Sequence, residues 1–143
     1  MLTMSTTQMD ALAISAGQRF EQRLLRFVQS SFAEQAEQME AAGSEPGAVL
    51  RFVSACIERA EALAIEDDAD TAVFAALVLA HTGFGAEKAE VLGWTKEMLD
   101  RKDLPGGLRI DWIFSRLQDF ADDDADAATA LKCLHEARKG FRA

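Results

Sequence analysis

The sequence predicts an all-α fold, a single-domain bundle of six or seven helices around a central apolar helix at about residues 69–83. Three observations carry this reading. Val49, Phe52, Val53, Cys56, Ile57, Ala60, Leu63 and Ala64 recur at the i, i+3, i+4, i+7 spacing of one buried helix face. From Thr71 to Ala80 the chain is apolar on nearly every side, as a helix enclosed by other helices must be. Long apolar–polar alternation is absent and proline occurs only twice, so nothing favours a sheet. A chain of 143 residues that is 49% apolar and 27% charged has the balance of an ordinary globule, and its length suits one domain, residues 1–143.

The first helix is expected from about Thr6 to Ser30, with Met9, Leu12, Ala16, Phe20, Leu24 and Phe27 in one stripe. Arg19, Arg23 and Arg26 fall on another face, read as solvated or as paired with acidic groups from the second half of the chain. Ser30-Ser31 breaks the helix ahead of a short one, Phe32 to Ala42, which Gly43 ends. Ser44 and Pro46 then form a start signal, a capping hydroxyl and a proline near the first turn. The third helix carries its stripe as far as Leu63 or Ala64.

Asp67, Asp68 and Asp70 precede or open the central helix, where carboxylates accept bonds from free N–H groups and oppose the helix dipole. Gly83-Phe84-Gly85 follows a helix rather than a strand, so it is read as a helix stop and not as a dinucleotide fingerprint. Glu87 to Asp100 reads as one helix or two short pieces, and Leu104-Pro105-Gly106-Gly107 as a breaker. Ile110, Ile113, Phe114, Leu117 and Phe120 mark the next helix, with Trp112 beside the stripe. A last helix carries Ala128, Leu131, Leu134 and His135, so that 121–143 reads as a C-terminal helix appended to the domain.

The net charge is −9, and seven of the nine excess negative charges fall after residue 60. Phosphates and anionic lipid both repel such a surface, which argues against nucleic acid and membrane as partners. An acidic face steers basic proteins or simply keeps a small domain in solution. The longest apolar run, Thr71 to Ala80, is too short to span a bilayer, and no basic-then-apolar leader opens the sequence, so a cytoplasmic location is expected.

No catalytic residue, cofactor site or metal site is expected. Asp122, Asp124 and Asp126 have the spacing that opens a calcium loop, but Ala127 and Cys133 stand where the loop needs glycine and a bidentate Glu. His81 and His135 lack a ligand partner at i+3 or i+4, and Cys56 and Cys133 lack the spacing of a zinc site or disulfide framework. The cysteines read as reduced core residues. Nothing marks an oxyanion hole for a Cys–His pair, so an enzyme is not expected.

The order of several short motifs resembles a family of small bacterial proteins encoded in type VI secretion gene clusters, beside genes for the spike protein and its toxic effectors. The similarity runs through Met1-Leu2-Thr3, Gln8-Met9-Asp10-Ala11-Leu12, Arg19-Phe20-Glu21-Gln22-Arg23, Phe52-Val53, Ile57-Glu58-Arg59-Ala60, Ile65-Glu66 and Asp70. It closes with Gly83-Phe84, Trp94, Glu97, Leu99 and the helix around Ile113 to Leu117, covering about residues 1–120. Similar proteins have further aspartates and a Pro-Trp after the central helix, where this chain has Gly83 to Lys88 and Gly93-Trp94.

The resemblance implies a non-enzymatic accessory protein of effector delivery. One reading is an adaptor or chaperone that holds an effector or spike protein. The alternative is an immunity protein that caps a cognate toxin. For either, the candidate partner interface is Asp67, Asp68 and Asp70 as an acidic docking patch, with Phe84, Trp94 and Trp112 as aromatic anchors. Helix capping and core packing are the competing structural explanations of the same residues.

Overall fold

The computed structural model describes residues 6–43, 45–82, 93–123 and 125–141, with side chains from Gly17 onward except at 81, 82, 93, 94 and 126. Seven helices account for most of these residues, and no strand occurs among them. They are α1 (Thr6–Ser31), α2 (Ala33–Ala42), α3 (Ala48–Ala62), α4 (Asp68–Thr82), α5 (Gly93–Leu99), α6 (Gly106–Ala121) and α7 (Ala125–Phe141). None is long and apolar enough to cross a membrane.

Helix α4 is the centre. Every residue from Thr71 to Leu79 is buried, which explains why its sequence has no polar face. Helices α7, α3, α6 and α1 all pack on it, α7 most extensively. The buried line of α7 is Ala130, Leu134, Ala137 and Phe141, whereas Ala128 and Leu131 are only half-buried and His135 is exposed. Two alanines in that line let the helix axes approach closely.

The predicted stripes hold with shifts of register. On α1 the fully buried residues are Leu24 and Val28, while Phe20 and Phe27 lie half-buried beside them; Met9, Leu12 and Ala16 fall outside the described side chains. Phe20 and Phe27 both meet Phe141 edge-to-face, each with ring centroids 5.7 Å apart. Helix α3 buries Val49, Phe52, Val53, Cys56, Ala60 and Leu63, but leaves Ile57 half-buried and Ala64 exposed. On α6, Ile110, Ile113, Phe114 and Leu117 are buried as expected, whereas Phe120 is 40% exposed.

The helix ends explain the chain's turns. Phe32 interrupts α1 and α2 with φ −126° and ψ 45°, yet its N–H still reaches Val28 O at 2.9 Å, so the two helices join as a bend. Glu40, from α2, supplies the cap of α3: its two carboxylate oxygens accept from Gly47 N at 3.1 Å and Val49 N at 3.0 Å. Gly47 is left-handed at φ +90°, a conformation glycine adopts without strain. The expected hydroxyl cap, Ser44, lies outside the described residues, as do Gly83-Phe84-Gly85 and the stretch from Glu87 to Leu92. Leu104-Pro105 does break the chain, but Gly106 and Gly107 already belong to the first turn of α6, with Pro105 as its cap.

Candidate functional site

The junction between α3 and α4 brings the acidic hinge together with α1, α6 and α7. It begins with the end of α3. Ile65 N donates to Ala60 O at 2.9 Å and Ala64 N to Glu61 O at 3.0 Å, the paired bonds of a Schellman turn. The left-handed position of that turn is Ala64, φ 59°, where glycine is usual. Two carbonyls of this turn then accept from Arg109: Nη2 donates to Leu63 O at 2.7 Å and to Ala64 O at 3.3 Å.

Arg109 is completely buried, and its Nη1 donates to Leu99 O at the end of α5. It therefore satisfies carbonyls at two helix C-termini, the ends whose dipoles favour a cation. Burial lowers its pKa and the nearby Asp103 carboxylate opposes that shift; guanidinium is basic enough to stay protonated regardless. Nε is buried without a hydrogen-bond partner. The sequence reading passed over Arg109, because a cation one place before an apolar stripe looks like an exposed flank.

Asp67 is the cap of α4. Its Oδ1 accepts from Ala69 N at 2.8 Å and Asp70 N at 3.2 Å, and its carbonyl accepts from the buried Thr71 hydroxyl at 3.1 Å. The capping explanation of the hinge is thus met by Asp67. Asp68 is exposed, and Asp70 turns toward α7, where Arg138 Nη2 lies 4.0 Å from its Oδ1. Arg138 also pairs with Asp111 at 2.5 Å and lies over the Phe114 ring, 4.4 Å from its centroid. The sequence placed the three hinge aspartates together; that α6 and α7 add Asp111 and Arg138 to them required the tertiary fold.

These groups border a cleft of about 650 Å³ that Asp67, Asp68 and Asp70 share with Glu66, Asp111 and Arg138. Arg23 and Phe141 close its far side, Arg23 donating to Gly140 O at 3.5 Å and lying over the Phe141 ring at 4.9 Å. Of the three α1 arginines, Arg23 therefore meets a carbonyl and a ring rather than a carboxylate. A second groove of about 840 Å³ adjoins the cleft, sharing Glu66 and Asp68, and runs between α1 and the α3 turn.

Trp112, the aromatic candidate whose side chain is described, does not line the acidic cleft. Trp112 is 37% exposed on α6, with the Arg116 guanidinium 5.8 Å from its ring centroid. Leu108 and Phe120 are also exposed on that helix, four residues before Trp112 and eight after it. Phe84 and the side chain of Trp94 lie outside the described residues, as do the side chains of His81 and Asp126 and all of Asp124.

Cys56 is buried and its thiol pKa is pushed far up by desolvation, which makes it a poor nucleophile; Cys133 is half-buried and also raised, chiefly by burial. No group of three or more His, Cys, Asp or Glu among the described residues has the arrangement to hold a metal ion. Compared with protein-family models, with curated proteins and with solved structures, the chain shows no match.

Proposed function

We propose that this chain is a non-enzymatic accessory protein of bacterial type VI secretion, working in the cytoplasm as an adaptor or chaperone for an effector or spike protein. The context comes from the resemblance of residues 1–120 to small proteins of those gene clusters. The observation that carries a binding role is the acidic opening at the start of α4, where Glu66, Asp67, Asp68, Asp70 and Asp111 border one cleft beside a second, more apolar groove. The excess of carboxylates over Arg23 and Arg138 in that lining favours cationic partners and speeds their encounter. A buried, high-pKa Cys56 supports a role without covalent chemistry.

Affinity purification of the tagged chain from its native host, with mass-spectrometric identification of the co-eluting proteins, tests this reading. A spike protein or the non-toxic segment of an effector is the expected partner, and deletion of the gene should stop delivery while the producer stays healthy. Recovery of a toxin's catalytic domain, with deletion toxic to the producer or its siblings, would replace the adaptor reading by immunity. Absence of any specific partner would overturn both.

A further inference from the structure

The second groove has a chemistry the first lacks. Its apolar lining is Phe20 from α1, Ile57 from α3 and Ala64 from the turn that follows, with Ile65 only 2% exposed. Its lining carries four carboxylates, Glu21, Glu61, Glu66 and Asp68, and no lysine or arginine among the described residues. None of the four takes part in an ion pair among the described residues, whereas Asp70 and Asp111 of the neighbouring cleft already share Arg138. An apolar trough edged by unneutralised carboxylates repels anions and stays hydrated at its rim until a cation arrives.

We propose that this groove, between α1 and the α3–α4 turn, binds a cationic amphipathic helix of a protein partner. Apolar residues at helical spacing would lie along Phe20, Ile57 and Ala64, and flanking lysines or arginines would meet Glu21, Glu61, Glu66 and Asp68. The floor is preformed. The Schellman turn at Ala64 and Ile65 is tied to α6 by Arg109, and Thr71 spends its hydroxyl on Asp67, so binding orders little of the protein. The placement also accounts for Ile57, which packs against the core yet stays half-buried, and for Ala64, which is exposed. The inference deepens the adaptor reading and rests on it for biological context, but its test does not.

The experiment is fluorescence anisotropy with the full chain and a labelled synthetic helix that carries leucines at i, i+3 and i+4 with lysines on either side. Controls are a scrambled peptide of the same composition and one with glutamate for lysine. The amphipathic peptide should bind at least about tenfold more tightly than either control, and added salt should weaken it. Glu21→Gln with Glu61→Gln, at a half-buried and an exposed position, should weaken binding about tenfold, whereas Asp119→Asn, exposed on α6 and lining neither groove, should not. Equal binding of the scrambled peptide, or insensitivity to the Glu21 and Glu61 changes, would overturn the proposal. So would self-association of the chain that Glu61→Gln abolishes, since a second copy would then be the occupant. If the peptide fails while host purification recovers an effector, the groove is wrong and the adaptor reading stands; the converse separates them the other way.

Discussion

Arg109 Nη2 donates to the carbonyl of Leu63 at 2.7 Å, joining α6 to the end of α3 across 46 residues of sequence. The same guanidinium holds Ala64 O and Leu99 O, so one buried cation fixes the ends of two helices and the start of a third. Its compensation comes from carbonyl dipoles rather than from a buried carboxylate.

Replacing Arg109 by Met should therefore cost more than its packing volume suggests. The apolar stem is kept, but the carbonyls of Leu63 and Leu99 lose a charged donor inside the core. The expected loss is about 3 kcal/mol in urea unfolding, since each bond to a charged group contributes roughly 1.5–3 kcal/mol. Unchanged stability would mean that water replaces the guanidinium.

Ala64→Gly should act in the opposite direction. Ala64 sits at φ 59°, where a Cβ costs roughly 1–2 kcal/mol, and its side chain is exposed. Removing that Cβ should raise stability by about 1 kcal/mol, read as a higher thermal midpoint, after allowance for glycine's greater freedom in the unfolded chain.

Glu40 gives the domain a pH dependence of known sign. Its carboxyl is held below the ordinary value chiefly by the Val49 N–H; desolvation, the next effect in size, opposes this, and the Gly47 N–H and the charge of Arg51 add to the lowering. A depressed folded-state pKa contributes stability that is complete above the unfolded value of 4.5 and lost as pH falls through the folded value. Glu40→Gln should remove this part of the acid sensitivity, so wild type and variant should converge in stability in acid denaturation series. Parallel curves would show that the cap is not formed in solution.

The two thiols should separate cleanly. With Ellman's reagent at about pH 8, Cys133 should react slowly in the native protein and Cys56 only after denaturation. Rapid native labelling of both would contradict the packing of Cys56 against the core.

How far the sequence could be read depended on what each residue answers to. The unbroken apolar run of α4 demanded burial on all sides, and the aspartates before it demanded free N–H groups, so the core helix and its Asp67 cap were both legible. Periodicity placed α3 and α6 but could not tell a core-facing residue from one facing a groove, as Ile57 and Ala64 do, or solvent, as Phe120 does. Arg109, Glu40 and Arg138 act on groups 7 to 68 residues away, and no local pattern encodes such partners. The hinge aspartates were seen as a patch; their meeting with Asp111 belongs to the packing of α6 against α4 and α7.

Phe141 has a consequence for the order in which the molecule is made. Its ring is the seat for Phe20 and Phe27, and Arg23 reaches the carbonyl beside it over 117 residues of chain. During synthesis α1 leaves the ribosome first, yet this aromatic seat does not exist until the end of α7 has emerged. A nascent chain that has not yet exposed α7 therefore holds the groove wall of α1 without its aromatic anchor.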